Sequence, residues 1–278
     1  MDSLDNFLAF FADMASWQKL VWLLTVLVFC WVVERLVPFV DFKYRKWKHA
    51  GVNFVFLGFT MVINFAFGFL IFMVCGWTGT ADFGLLAMLD LPTWGALLVT
   101  VLALDFFAQY VSHYMLHHVP VLFKFHRIHH SDTKVDATTG TRHHPGDFVV
   151  REIMSVFVVL LLGAPLSFYV FYRMMTVFFG YTSHANIKFP RVLDRTLGWI
   201  LITPNIHKFH HHQERHWTDT NFGNIFSFWD RIFGTLVIDD PNKVVYGLDV
   251  MDGSRDEDIG YQLMSPLDSS IQSPNSAK

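Results

Sequence analysis

Histidine is the residue type that gives this chain its most evident chemistry. The sequence holds fifteen histidines, and fourteen of them lie between His113 and His216. They occur in spaced groups separated by other residue types, so they are not a low-complexity tract. Imidazole binds zinc, copper, iron and nickel alike. The groups therefore predict a metal site without choosing the metal.

The spacing within the groups places the imidazoles on shared helix faces, because residues at i, i+3 and i+4 lie on one side of a helix. The first group is the i, i+4 pair His113 and His117. The other two groups share the pattern HxxHH and consist of His126, His129 and His130, and of His207, His210 and His211. One tetrahedral zinc takes four ligands. These eight imidazoles therefore predict two metal ions with room for an exogenous ligand.

The three groups, in this order, resemble the histidine boxes of the fatty acid hydroxylase/sterol desaturase superfamily. The boxes read HYMLH from His113, HRIHH from His126 and HKFHH from His207. Further matching segments are RHHP from Arg142, HANI from His184 and NFGNIFSFWDRIFGT from Asn221. The resemblance covers roughly residues 106–248. All three boxes in sequence are a specific signal, whereas any one of them alone would be a weak one.

This resemblance implies a membrane-bound, non-haem di-iron oxygenase that uses O₂ and external electrons to hydroxylate or desaturate a C–H bond of a lipid, such as a fatty acyl chain or a sterol. It also implies that two iron ions are held by the box histidines and by one histidine before the last box. The implied ligands are His113, His117, His126, His129, His130, His184, His207, His210 and His211. Whether His118, His143, His212 or His216 joins them stays open.

Other polar residues are candidates for supporting the ligands. Asp105 and Gln109 lie eight and four residues before His113, on the same helix face. Such a side chain can hydrogen-bond the far nitrogen of a ligand histidine and fix its tautomer, although a buried helix–helix contact explains it nearly as well. His144 aligns with the R-x-H-P histidine of the superfamily. Asp147 and Glu152 are weaker candidates of the same kind.

The composition places these residues in a membrane protein. Hydrophobic residues make up 53% of the 278 residues and charged residues 16%, against about a quarter charged in soluble domains. The net charge of −3 and the absence of a basic stripe exclude a nucleic-acid binder. Cys30 and Cys75 sit in apolar runs, which excludes a disulfide scaffold and a CxxC zinc site.

Three apolar stretches are long enough to cross the hydrocarbon core, which takes about 20 helical residues. They are Trp17–Val37, Gly51–Trp77 and Leu91–Val111. The segment Arg35–His49 is rich in Lys and Arg, whereas Gly76–Pro92 has neither. By the positive-inside rule the first loop is cytoplasmic and the second is outside. The N-terminus is then outside, and the histidine groups lie on the cytoplasmic face.

A fourth apolar region, Phe148–Tyr181, is interrupted by Gly163, Ala164 and Pro165. Proline removes a helix hydrogen bond, so the region is either one long kinked span or a tight helical hairpin. Only the hairpin puts both histidine-rich flanks in one compartment, and it is therefore preferred.

The expected fold is an all-α integral membrane protein with about four transmembrane or hairpin helices and a histidine-rich cytoplasmic cap. One domain covers residues 1–252, of which 1–112 are mainly transmembrane and 113–252 form the catalytic part, including the hairpin at 148–181. Residues 253–278 are rich in Ser, Asp and Pro and are expected to be disordered.

The electron donor is expected to be a separate protein of the ferredoxin or cytochrome b5 type. His144-Pro145-Gly146 superficially resembles the haem loop of cytochrome b5, but Asp147 follows it and no acidic soluble module surrounds it.

Two other functions fit the sequence less well. A metal-ion transporter or sensor needs polar residues along its spans, which are apolar apart from Asp105 and scattered residues such as Asn53 and Asn64. A bis-histidine cytochrome needs single histidines facing each other within spans, whereas these histidines cluster at one interface.

Overall fold

The computed structural model of the chain describes residues 3–271. Within this range the chain forms helices and loops, and the only strand-like pairings are three isolated bridges. The all-α prediction is confirmed. The α-helices are α1 (Ser3–Ala12), α2 (Ser16–Leu36), α3 (Lys46–Ala81), α4 (Leu85–Met88), α5 (Thr93–Leu104), α6 (Ser112–His118), α7 (Pro120–His130), α8 (Pro145–Leu162), α9 (Leu166–His184), α10 (Arg191–Leu197), α11 (Pro204–His210), α12 (Arg215–Thr218), α13 (Phe228–Phe233) and α14 (Ile259–Met264).

Other helix types connect some of these elements. A π-helix at Asp105–Val111 joins α5 to α6 without a break. Short 3-10 helices lie at Ala137–Thr141, Pro241–Lys243, Gly253–Arg255 and Ser265–Leu267.

Two helical stretches in the described part of the chain are long and apolar enough to cross a membrane. They are Lys46–Met88, with a mean hydropathy of 2.2, and Thr93–His118, with a mean hydropathy of 1.6. The outer face of α3 carries large apolar side chains that no other element covers, including Val62 at 71% and Phe65 at 83% exposure. An extended apolar surface of this kind marks a membrane or partner contact.

The first predicted span, Trp17–Val37, forms helix α2. Its end is anchored by Glu34, whose buried carboxylate accepts from the backbone N–H groups of Ala137 and Asn186 at 2.7 and 2.9 Å and from Lys46 Nζ at 2.7 Å. These contacts tie α2 to the start of α3, to residue Ala137 and to the chain just after α9. That α2 itself crosses the bilayer stays a prediction.

The region Phe148–Tyr181 forms a helical hairpin rather than one kinked span. The chain reverses at Gly163, which has a positive φ of 65°. Its ends meet again at the histidines, because the rings of His143, just before α8, and His184, at the end of α9, lie 4.6 and 4.9 Å from the ring of His129. The hairpin therefore carries two separate parts of the chain to one site.

The core between these helices is apolar. Helix α3 packs along α8, and α9 packs against α1, α2 and α5. Fully buried side chains at their centre include Ile71, Leu104, Val159 and Tyr172. This packing fixes the inner ends of α6, α8 and α9, from which histidines project.

The C-terminal segment differs from the expectation of disorder over 253–278. Residues 253–271 pack against α7, and α14 lies within them. The buried guanidinium of Arg127 donates to the backbone carbonyls of Ser265 and Ile271, and Arg142 donates to the carbonyl of Asp256. In these bonds, main-chain oxygens of the C-terminal segment accept from buried arginine side chains. The polar composition of the segment gives no sign of such contacts. Residues 272–278 lie outside the described residues.

Candidate metal centre

Four elements bring the predicted ligand histidines to one place. Helix α6 supplies the i, i+4 pair, α7 and α11 supply the two HxxHH groups with His211 directly after α11, and the last residue of α9 is His184. Pro120 begins α7 and Pro204 begins α11, positions at which the missing N–H is not needed. All nine predicted ligands are buried.

The nine histidines fall into two groups whose ring nitrogens lie within 4.8 Å of one another. The first group is His113, His117, His126, His130 and His210. The second group is His129, His184, His207 and His211. Consecutive helix residues point about 100° apart, which explains why His129 and His130 belong to different groups, as do His210 and His211.

The ring nitrogens converge at distances that suit ligands of a common ion. In the first group, His126 Nε2 lies 3.0 Å from His113 Nε2 and 3.1 Å from His130 Nε2. In the second group, His184 Nε2 lies 3.1 Å from His129 Nε2 and 3.0 Å from His207 Nε2. Two nitrogens at right angles on one ion are about 3 Å apart when each metal–nitrogen bond is about 2.1 Å.

Other ring nitrogens in the groups are buried without a hydrogen-bond partner among residues 3–271. They include Nε2 of His117, His210 and His211. Buried polar atoms are nearly always partnered, so these nitrogens fit a site that binds metal ions.

The protonation state of the imidazoles also fits metal binding. Burial and the neighbouring imidazoles hold the pKa values of His130, His210 and His211 well below the ordinary value. Burial lowers the pKa of His126 to about 3, although the adjacent carboxylate of Asp147 favours the charged form. The rings are therefore neutral at physiological pH, and a neutral ring has a lone pair for a metal.

Oxygen atoms hold the opposite nitrogen, Nδ1, of several ligand rings. His117 Nδ1 donates to Asp219 Oδ1 at 3.0 Å, and His126 Nδ1 donates to Asp147 Oδ2 at 2.8 Å. Backbone carbonyls accept from Nδ1 of three further rings, at Phe222 for His113 (2.9 Å), Thr220 for His210 (2.7 Å) and Gly180 for His184 (2.6 Å). Such bonds fix the tautomer and leave Nε2 for a metal.

Asp105 does not contact a ligand histidine. Its fully buried carboxylate accepts from the backbone N–H groups of Ile225 and Phe226 at 3.2 and 3.3 Å and from Trp229 Nε1 at 3.0 Å. It therefore anchors the loop that follows Phe222 to the π-helix, and the predicted bond to a histidine is absent from its contacts in the structure.

Gln109 and His144 also lie outside direct contact with the two groups. Gln109 Oε1 accepts from Arg151 at 3.0 Å, and Arg151 Nε donates to Asp147 Oδ1 at 3.0 Å, so Gln109 connects to His126 only through two intermediates. His144 accepts from the N–H of Gly146 at the start of α8 and stacks on Phe125.

Of the four histidines whose part in the ligand set was open, one lies beside the centre and three lie away from it. His143 stacks 4.6 Å from His129 and donates through Nδ1 to Asp147 at 2.9 Å. It therefore borders the centre. His118 is exposed and stacks on Tyr114 at 3.9 Å, and His216 is also exposed. His212 is bonded to the carbonyl of Lys243 at 3.2 Å.

Sequence reasoning missed Asp219 and Arg151 as parts of this centre. Asp219 is 102 positions from His117 in the chain, and no spacing rule connects them. Arg151 follows Asp147 by one helical turn, a pairing that the i, i+4 rule could have found.

A cavity of about 160 Å³ adjoins the histidines. His113, His129, His184 and His207 line one part of it. Apolar side chains line another part, among them Leu23, Leu57 and Val177. The cavity borders both histidine groups, because His113 belongs to the first group and the other three to the second.

Comparison with known proteins finds similarity to hydroxylases and a monooxygenase. Residues 97–235, half of the chain, match the fatty acid hydroxylase family. Over 130 residues the chain is 29% identical to the ornithine lipid hydroxylase OlsE of Rhizobium tropici, a match covering 47% of this chain and 38% of the relative. It is 30% identical over 154 residues to the alkylglycerol monooxygenase of Xenopus tropicalis, covering 54% and 32%. A cholesterol 25-hydroxylase-like protein of Danio rerio is 26% identical over 140 residues, covering 50% and 55%.

The match spans about a third of the length of the first two relatives. No solved structure matches the chain.

Proposed function

Because the chain belongs to the fatty acid hydroxylase family, we propose that it is an integral membrane oxygenase that holds two iron ions and hydroxylates a C–H bond of a lipid. The observation that supports this proposal most directly is the convergence of nine buried histidines into two groups of ring nitrogens. Imidazole suits iron as a ligand. Two groups of this size suit two ions.

The proposed reaction consumes one C–H bond, O₂, two electrons and two protons, and it yields an alcohol and water. Iron, when bound, supplies the activation of O₂. The histidines hold the metal, and Asp147 and Asp219 accept the Nδ1 protons of His126 and His117 and so orient those rings. Burial of all nine rings keeps bulk water away from the reacting atoms. The electrons come from a separate donor of the ferredoxin or cytochrome b5 type.

A lipid substrate follows from the relatives and from the surroundings of the centre. The relatives are named for an ornithine lipid, for alkylglycerol and, by likeness, for cholesterol. Because these relatives are named as hydroxylases and a monooxygenase, hydroxylation is favoured over desaturation. The cavity beside the histidines has apolar walls at Leu23, Leu57 and Val177, which suit an acyl or sterol chain.

We place the helices and the centre relative to the membrane as follows. Helices α2 and α3, the stretch Thr93–His118 and the hairpin of α8 and α9 are embedded in the bilayer. The basic segment Arg35–His49 faces the cytoplasm. Since α3 begins and α6 ends near the histidines, the centre lies on that same face. The transporter alternative has no support among the relatives, which are enzymes by name.

The proposal is tested by metal content and by product. The purified protein, expressed with added iron, should contain close to two irons per chain. His210→Ala should lose iron because it removes a ring of the first group. His216→Ala, which removes an exposed histidine outside both groups, is the matched control and should keep iron. Lipids of the expressing cells should gain one oxygen atom, detected by mass spectrometry.

One metal per chain, or iron unaffected by His210→Ala, would contradict the di-iron centre. If the protein held two zinc ions and no oxygenated lipid formed, the two-ion site would stand but the proposed oxygenase activity would be wrong.

A further inference from the structure

The cavity beside the histidines is more polar than a slot for an alkyl chain requires. Its lining includes the guanidinium-bearing side chains of Arg151 and Arg173 and the amides of Asn64, Gln109 and Asn224. Among the described residues that line it, none is Asp or Glu. The wall therefore presents hydrogen-bond donors and positive charge to whatever enters.

The carboxylates that balance the two arginines lie outside the lining. Asp147, with a side-chain exposure of 0%, accepts from Arg151 Nε at 3.0 Å, and Glu152, with 1%, lies 2.9 Å from one terminal nitrogen of Arg173. In each ion pair the arginine therefore faces the cavity and the carboxylate lies behind it. An acceptor oxygen in the cavity would be close to the two positive charges.

Arg173 lies in the middle of α9, which is inside the proposed membrane hairpin. Its other terminal nitrogen donates to Asn64 Oδ1 of α3 at 2.7 Å. Its side chain keeps 18% exposure in spite of these contacts. An ionisable residue at membrane depth is expensive and marks a functional site by default.

Both arginines lie close to the histidine groups. Arg151 contacts Asp147, which itself bonds to His126. The ring of Phe148 lies 5.8 Å from the Arg173 guanidinium and 6.4 Å from the ring of His143. Asp147 therefore separates Arg151 from His126, and Phe148 and His143 separate Arg173 from His129.

Building on the proposed function, we propose that the cavity binds an oxygen acceptor group of the lipid substrate against Arg151 and Arg173, so that the oxidised carbon lies near that polar group and not at the far end of an alkyl chain. Ether, ester, amide and carboxylate oxygens share this chemistry. A guanidinium has five N–H donors, enough to keep its carboxylate and also to bind the substrate. An alkyl end in the same place would leave buried donors unsolvated, which is unfavourable.

Equilibrium binding of two probes to the purified, iron-loaded protein tests the binding step. The probes are radiolabelled hexadecanoic acid and hexadecane, which differ only in the acceptor group. The variants are Arg173→Lys, which keeps the charge and loses the planar fork, and the double variant Arg173→Leu with Glu152→Leu, which leaves no buried carboxylate without a partner. Arg191→Lys, an exposed arginine that pairs with Asp240, is the control.

We expect hexadecanoic acid to bind the double variant about tenfold more weakly, or worse, because a charge-assisted hydrogen bond is lost. Arg173→Lys should lie between the double variant and the wild type, and the control should match the wild type. Hexadecane should bind the wild type, Arg173→Lys and the control alike, and it should bind the double variant at least as tightly, because fewer polar groups are then left unsolvated. Equal affinity for hexadecanoic acid in wild type and both variants would overturn the proposal.

The position of the new oxygen tests the second half of the proposal. Tandem mass spectrometry of the oxygenated lipid should place the hydroxyl within a few bonds of an ether, ester, amide or carboxylate. A hydroxyl near the methyl end of a chain would overturn it. If cells make no oxygenated lipid, the proposed function fails, whereas the binding experiment still decides whether the arginines recognise an acceptor oxygen.

Discussion

Hydrogen bonds to oxygen atoms orient most of the histidine rings in the centre. Five of the nine have Nδ1 fixed by a carboxylate or a backbone carbonyl, and their Nε2 atoms point into the groups. Asp219 is the more exposed of the two carboxylates, with 26% side-chain exposure against 0% for Asp147. Burial opposes its ionisation, yet its hydrogen bond with His117 and the nearby charge of Arg215 keep its pKa below the ordinary value.

We predict that Asp219→Asn weakens metal binding. Asparagine keeps an oxygen acceptor for His117 Nδ1 but removes the charge that orients the ring and raises its basicity. Metal affinity should fall by about ten- to a hundredfold, the usual effect of removing such a partner. Competition with a chelator, followed by iron analysis, measures it. Asp239→Asn, on an exposed carboxylate far from the histidines in the chain, should change nothing; equal loss in both would contradict a specific role.

The convergence of the nine proposed ligand histidines could be predicted from sequence because their spacing repeats on helices and their boxes match a known order. Their oxygen partners could not, because contacts such as the one between His113 and the carbonyl of Phe222 join positions 109 apart. Asp105 shows the same limit. Its position on the face of His113 allowed a bond to a histidine or a buried contact between elements, and its partners in the structure are Ile225, Phe226 and Trp229.

Among the elements, the hairpin of α8 and α9 carries His184 to the centre and places His143 beside His129. Its turn packs against the turn that follows α3, since a Cβ on Gly163 would lie 2.0 Å from the carbonyl oxygen of Phe83. The glycine–alanine–proline break allowed either a kinked span or a turn, and the histidine-rich segments on both sides of the region favoured the turn. The π-helix at Asp105–Val111 had no comparable signal, because no proline or glycine in DFFAQYV interrupts the helix that continues from α5 into α6.

Gly163→Ala should destabilise this element. The left-handed backbone costs a non-glycine residue about 1–2 kcal/mol, and the clash with Phe83 adds to that cost. We expect a lower thermal unfolding midpoint in detergent, followed by tryptophan fluorescence. Gly58→Ala is the matched control, because nothing lies within 4 Å of a Cβ at that helical position, and alanine is the better helix former. The same midpoint in both variants would argue against the turn contact.

As a whole, the molecule joins an apolar helical part to a polar, histidine-rich part closed by residues 253–271. The polar composition of that last segment is typical of disorder, and its order depends on Arg127 and Arg142, which belong to distant parts of the chain. Apolar length likewise could not settle how many helices cross the membrane, since only two stretches meet the test among residues 3–271.

The topology proposed here predicts opposite sides for two exposed residues. In a chain with Cys30 and Cys75 replaced by alanine, Asp90→Cys should react with a membrane-impermeant maleimide in intact cells, because the loop before α5 is outside. Asp239→Cys should react only after permeabilisation, since it follows α13 on the side of the histidines. Mass-shift gels read the labelling. The reverse pattern would place the centre outside the cell.

Two pairs of adjacent histidines divide between the groups, His129 with His130 on α7 and His210 with His211 at the end of α11. Helices α7 and α11 therefore both contribute to each of the two proposed metal positions. An ion bound at the first position fixes α7 and α11 in the orientation that the second requires, so we expect loading to be cooperative. At limiting iron, native mass spectrometry should find chains with none or two, and few with one. A large singly loaded population would show that the two positions fill independently.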